Sequence, residues 1–408
     1  MQLPGPNPEF PRHFVNHDGY QAQYLPQNGE EGKLEAFYFV VKRSYDLTPG
    51  KATPAIMQRP LYTSDRYYDT GLDPLRTPMR YETDLMPPKV ACDVIVNGHC
   101  YAPGGEAVQA ICSVQVGDNA PKRVRVIGDR SVWQPRGTRR AAITAARPFS
   151  VMPLRWDYAY GGVDQQCDTG LGIYPANPSG VGFWAQATPD EEGNIGPSPD
   201  HYGAMPNLEH PDIPIELDHM FHDPASWKKA PPPWSMGWVP KHWEPRASRA
   251  GIDPKVRPMW DLFSKSPLLK KFNVDLPVRE MDPRFFNGAP HGQVIPFPVG
   301  GELVVLENMH PTEHQLRFRL PAEHPRMRWS LGGDAPLTPV SLKIDTITIE
   351  PDLMAMDVCW RGRLPVPTGM SIAKMKHAPI IEIDGELTAP AQLLDSGFPM
   401  ELITEGKP

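Results

Sequence analysis

The sequence predicts a mainly β protein: antiparallel sheets, sandwich- or barrel-like, joined by long irregular proline-rich loops, with few short helices. Three observations predict it. Proline makes up 51 of 408 residues, against a usual share of about 5%. Each proline fixes φ and removes a backbone donor, so few windows are long enough for a helix. Short runs rich in β-branched and aromatic residues alternate apolar and polar side chains with period two. Turn phrases such as "PGG" and "GDNAP" punctuate those runs.

The elements follow in chain order. "KLEAFYFVVKRSYDL" (33–47) reads as a strand pair or one long strand. Residues 48–89 are loop-rich. Residues 90–127 read as a meander. Val90, Cys92, Val94 and Val96 share one face of its first strand; Val108, Ala110, Cys112, Val114 and Val116 share one face of its second. Setting Ala102 opposite Glu106 keeps the apolar faces together, with Val96 facing Cys112 and Cys100 facing Val108. Cys112 then lies about 13 Å along the strand from Cys92 and from Cys100. That is too far for a disulfide or a shared zinc. These cysteines are expected to be small buried hydrophobes.

Residues 175–260 are densest in proline and tryptophan, with Trp227, Trp234, Trp238, Trp243 and Trp260 within 34 positions. Such a segment suits a long ordered loop packed by its own aromatics, or a binding surface. Beyond residue 290 the β pattern returns in "GGELVVLENM", "QLRFRLP", "KIDTITIEP", "MDVCWRG" and "APIIEIDG". The expected division is an N-terminal β region (1–165), a Pro/Trp-rich irregular segment (166–290) and a C-terminal β region (291–408), with the two β regions free to pack as one unit.

Charge and composition narrow the function. A formal net charge of −7 argues against nucleic acid, which needs a concentrated basic face. The longest wholly apolar run, "AFYFVV" (36–41), is far short of the roughly 20 residues of a membrane-spanning helix. The first residues lack the basic start and apolar block of a secretory signal. Five cysteines in 408 residues suit a reducing compartment. A cytoplasmic protein without a membrane partner is expected.

Candidate chemistry is sparse. The phosphate loop GxxxxGK, the elbow GxSxG, HExxH and CxxC are all absent from the sequence. "LDHMFHD" places Asp218, His219, His222 and Asp223 close together, proper ligands for zinc or manganese; no further ligand pattern follows, so a polar surface turn before Pro224 is the simpler reading. Asp129 in "IGDRSVW" is either a catalytic carboxylate or a turn residue accepting backbone N–H bonds, with Trp133 covering the sheet end. Glu302 and Glu307 have the odd spacing that sends strand side chains to opposite faces, a poor glycosidase pair. Phe285 and Phe286 adjoin an Asn287-Gly288 turn and either straddle two packing layers or anchor a partner. No catalytic residue, metal or cofactor is expected.

Ten phrases taken in order resemble one family: "KRSYDL", "TDLMPPKVACDVIVNGHCYAPGG", "VIGDRSVW", "PFSVMPLRWDYAYGGVD", "NPSGVGF", "MPNLEHP", "HWEPRASRAG", "RFFNGAP", "GGELVVLENMHP" and "IDTITIEPD" with "VCWRGRLP". From about residue 33 to 366 the chain is similar to the DUF2169 family, accessories of the bacterial type VI secretion system. The resemblance implies a non-catalytic adaptor or chaperone that helps load a toxic effector onto the VgrG spike, often alongside a PAAR tip. Where the family often has "PAGFG", this chain has "PPPWSMGW" (231–238). Trp234, Trp238 and Trp243 are the candidate partner surface, with Phe285 and Phe286 beside them. The alternatives are a β-scaffold enzyme centred on Asp129 or the Asp218–His222 cluster, and a carbohydrate-binding module stacking sugars on the tryptophans.

Overall fold

The computed structural model describes residues 13–16, 19–28, 34–71, 76–133, 142–164, 172–184, 188–189, 195–196, 203–217, 230–251, 281–330, 338–366 and 380–387. These build open sheets, mostly antiparallel, with a few short helices; no sheet among the described residues closes into a barrel.

The largest sheet has seven strands. Its spine is Leu34–Thr48, one continuous strand because no proline or glycine interrupts it. It pairs antiparallel with Ala355–Pro365 on one side and Gln21–Asn28 on the other. Lys343–Glu350 follows through a tight turn in which Met354 takes φ 47°. Cys92–Val96 pairs parallel with Lys343–Glu350, and Val294–Ile295 closes that side. Lys51–Pro54 folds back on the far end of the spine.

A five-stranded antiparallel sheet runs Leu208–Glu209, Lys122–Ile127, Gln109–Val116, Leu303–Glu307, Gln315–Arg319. A four-stranded sheet joins His13–Asn16, Ile380–Leu387, Glu323–Ser330 and Thr338–Val340. Strands from before residue 165 and after 290 sit side by side in all three sheets. One apolar core joins the sheets, with Cys92, Val94, Val96, Ile347, Val358 and Trp360 from the largest and Cys112, Val114, Val124, Val304, Leu306 and Phe318 from the five-stranded one.

The expected first hairpin of the meander does not form. Cys92–Val96 and Gln109–Val116 belong to different sheets, and His99–Tyr101 pairs instead with Val151–Pro153. "PGG" makes a 3-10 turn, Pro103–Gly105, that carries the chain from one sheet to the other. Cys92–Val96 is buried on both faces, so it needs strand neighbours and cover that a local hairpin cannot supply. The second hairpin, Gln109–Val116 with Lys122–Ile127, does form. Losing the first register brings the Cys100 and Cys112 thiols into hydrogen-bond contact, not 13 Å apart. Cys92, Cys100, Cys112 and Cys359 are all buried free thiols, and burial pushes Cys92, Cys112 and Cys359 above the ordinary thiol range. That makes them poor nucleophiles.

No helix among the described residues is long and apolar enough to cross a membrane.

Candidate functional site

Ionisable side chains concentrate on the second face of the seven-stranded sheet. Directly opposed residues share a face, so the register lays Lys42, Cys359, Thr346 and Asp93 in one row across four strands. Ser44, Asp357 and Thr348 form the next row. A register shift between Ile344 and Thr346 inserts Asp345, which meets Arg361 on this same side.

Residues 58–71 and 76–89 cover these rows and complete the charge. Lys42 Nζ lies 3.1 Å from Asp84 and 3.5 Å from Asp357, over the Tyr62 ring. Arg59 pairs with Glu350, which also accepts from Tyr81 Oη at 2.5 Å. Lys89 Nζ donates to Asp93 Oδ2 at 2.6 Å and Thr346 Oγ1 at 2.8 Å. Arg361 donates to Asp345 and to the Asp84 carbonyl. From the irregular segment, Arg246 Nη1 donates to Glu82 Oε1 at 2.7 Å, and Lys241 stands 3.3 Å from the same oxygen.

The protonation states follow from this pairing. Burial alone would lower Lys42; Asp84 and Asp357 outweigh it and hold the ammonium above the ordinary lysine range. Burial would raise Glu82; Arg246, Lys241 and Lys89 outweigh it and hold the carboxyl below the ordinary range. Cys359 Sγ donates to Asp84 Oδ1 at 3.4 Å, and burial, then Asp84, keep it a thiol. The gap between these side chains has room for about one water molecule. The arrangement clamps a long loop onto a sheet.

Two phrases read from the sequence act as fasteners here. In "RFFNGAP", Asn287 Nδ2 donates to Ala91 O and Asp93 Oδ1, and Gly288 N donates to Asp93 Oδ2 at 2.7 Å. A Cβ at Gly288 would stand 2.7 Å from the Trp238 ring and 2.9 Å from Glu82 Oε2, so only glycine fits. In "WDYAYGGVD" and "NPSGVGF", Asn177 Nδ2 donates to the Trp156 and Tyr160 carbonyls, tying the two phrases together.

The predicted site residues scatter. Trp238 and Trp243 are 4% and 1% exposed and therefore are core, not partner surface. Trp243 packs edge-on against Trp156, and Trp238 covers Lys89. Phe285 and Phe286 are half-buried against each other. Asp218, His219, His222 and Asp223 lie outside the described residues. Asp129 accepts from Asn207 Nδ2 at 3.1 Å, while Trp133 is about half exposed. Glu307 accepts from Ser113 Oγ and Glu302 from Val299 N, with separate tasks. Among the described residues no three His, Cys, Asp or Glu side chains are grouped to hold a metal.

Trp234 is the one tryptophan of the predicted set left half-buried at the surface. Its Nε1 donates to Arg123 O at 2.7 Å. The Lys122 ammonium lies 2.9 Å from its ring centroid, with His210 at 4.3 Å and His291 at 5.9 Å.

Sequence reasoning missed a second surface feature. Ile56 and Met57 are 98% and 86% exposed on a loop that is firmly pinned. Gln58 Nε2 donates to Ser44 O and Ala55 O, Ser44 N donates to Gln58 Oε1, and Arg59 N donates to Ser44 Oγ. The readable signal was an apolar pair between Pro54 and Pro60 in an otherwise polar stretch.

A family described as an uncharacterised protein conserved in bacteria, DUF2169, matches residues 32–361. The chain belongs to the DUF2169 family. No curated protein and no solved structure matches it. The family match covers the five-stranded sheet and all of the seven-stranded sheet except Gln21–Asn28 and the end of Ala355–Pro365.

Proposed function

We propose that this DUF2169 protein is a non-catalytic cytoplasmic adaptor that binds a toxic effector and helps load it onto the VgrG spike or its PAAR tip in a type VI secretion system. The secretion role comes from the family resemblance. The observation that carries the binding role is the pinned loop presenting Ile56 and Met57. Large apolar side chains held rigidly in water lose little further freedom on docking, which suits a preorganised contact. The ionic face supports the same reading at one point, where the Arg59–Glu350 pair anchors the residue that follows Gln58 to the sheet.

The test is co-purification. The tagged chain, expressed with the spike and toxin genes that neighbour its own, is expected to elute with one of them in stoichiometric amount. The double variant Ile56→Asp/Met57→Asp is expected to elute alone. Elution of the wild-type chain without spike or toxin would end the proposal.

A further inference from the structure

Lys122 differs from the other buried lysines. It is 3% exposed, yet among the described residues no carboxylate pairs with it. Its Nζ donates to His291 O at 2.7 Å and otherwise rests on the Trp234 ring. Two imidazoles flank that ring at the surface. Asp212 N donates to His210 Nδ1 at 3.1 Å, which fixes the tautomer with Nε2 as the outward donor.

The charged and titratable groups around this indole and its two imidazoles come from every packed element. Lys122 and Arg125 come from the strand Lys122–Ile127, His210 and Asp212 from the turn after Leu208–Glu209, and His291 from the turn before Val294–Ile295. The Cys112 thiol lies behind Lys122. Positive charge is in excess. Burial, then neighbouring cations, lower both His210 and His291 below the ordinary imidazole range, although Asp212 opposes this at His210. Burial pushes Lys122 down as well. Half-buried Pro232 and Pro233 precede Trp234, and Ile213, 43% exposed, bridges to His210.

We infer that the Trp234 cluster is a docking site for an acidic segment of a partner polypeptide, whose carboxylates sit between His210 and His291 over the buried Lys122. A carboxylate there supplies the counter-charge the lysine lacks, and the indole, prolines and Ile213 receive the aliphatic stem of Asp or Glu. The charge is one indole wide, too compact for the extended phosphate track of nucleic acid. Binding must strengthen on mild acidification, because the anion favours protonated imidazole, foremost at His291, since His210 gives up the Asp212 N–H bond at Nδ1 when it is protonated. This inference stands apart from the secretion assignment: the site would bind acidic peptide whatever pathway the protein serves.

The experiment uses the full chain and an acetylated, amidated hexaglutamate peptide, with hexaglutamine and inorganic phosphate as the other arms. Hexaglutamate is expected to bind at low salt, at least about threefold tighter near pH 6 than near pH 8, and to weaken as salt is added. His210→Gln/His291→Gln and, separately, Lys122→Met are each expected to lower affinity by about tenfold or more. Lys122→Met keeps the wild-type Tm or raises it, since no carboxylate loses a partner; if it fails to fold, the surface histidine pair decides alone. Absence of hexaglutamate binding near pH 6, equal binding of hexaglutamine or phosphate, or undiminished binding by the histidine variant would overturn the inference. Failure here leaves the co-purification outcome untouched, and the reverse holds too.

Discussion

Asp357 and Val358 are neighbours on one strand, both buried, and they face opposite sides of the seven-stranded sheet. Val358 joins the core with Met356, Trp360, Ile347 and Ile349. Asp357 joins Lys42, Asp84 and Arg59. Water is excluded from both faces, by different means. The apolar face tolerates modest changes of shape, because its attraction is non-directional. The ionic face does not, because removing one charge strands its partner in a low dielectric. The contrast suggests a division of labour: one face holds the sheets together, and the other fixes the segment that follows Ile56 and Met57.

The sharpest break of that comparison is Lys42→Met, a swap close to volume-conserving. On the apolar face such a change would be mild. Here it leaves Asp84 and Asp357 without their shared cation, and stability is expected to fall by about 3–5 kcal/mol, read by denaturant unfolding. A loss under about 1 kcal/mol would mean that the ionic face is not cooperative with the fold.

Acid should break the same face next. Glu82 is held below the ordinary carboxylate range, so its contribution is present above the unfolded-state value near 4.3 and is lost as pH falls through the folded value. Tm is therefore expected to hold from neutral pH down to about 4.5 and to drop below it. In Arg246→Met, which removes the closest cation from Glu82, the folded value rises toward the unfolded one and that drop should shrink. An unchanged acid limb would show that the pair does not set it.

Ile347→Val probes the apolar face with one methylene removed. The expected cost is about 1 kcal/mol, well below that of Lys42→Met although both side chains are fully buried. Equal costs would erase the distinction between the faces.

Much of the apolar face was legible in sequence. "QLRFR" alternates exposed and buried as its pattern predicts, and Leu34–Thr48 is the long strand that its composition predicts. The ionic face was not legible, because "DTITIE" and "DVCWRG" look like half-solvated strands. Their polar positions are buried only because residues 58–71 and 76–89 lie over them, and that cover is set by pairing far along the chain. The same blindness misplaced Trp238 and Trp243: density of proline and tryptophan marks an irregular segment, but whether it plugs the core or faces water depends on what it meets. The Trp234 cluster was half visible. Its tryptophan was singled out, while Lys122, His210 and His291 come from three separate stretches that only the fold brings together.

The smallest expected effect concerns the loop that carries Ile56 and Met57. Ile56→Asp/Met57→Asp should change stability by no more than about 0.5 kcal/mol, since neither side chain is packed and the pinning bonds come from Gln58, Ser44 and Arg59. Gln58→Ala should behave differently, removing the bonds to Ser44 and Ala55 while leaving the apolar pair intact. If rigidity matters, Gln58→Ala weakens capture of the spike or toxin although no contacting side chain has changed, and hydrogen exchange at Ala55–Met57 rises with it. If capture survives Gln58→Ala but not the aspartate pair, the contact is apolar and needs no preorganisation. The ionic face would then serve the fold alone.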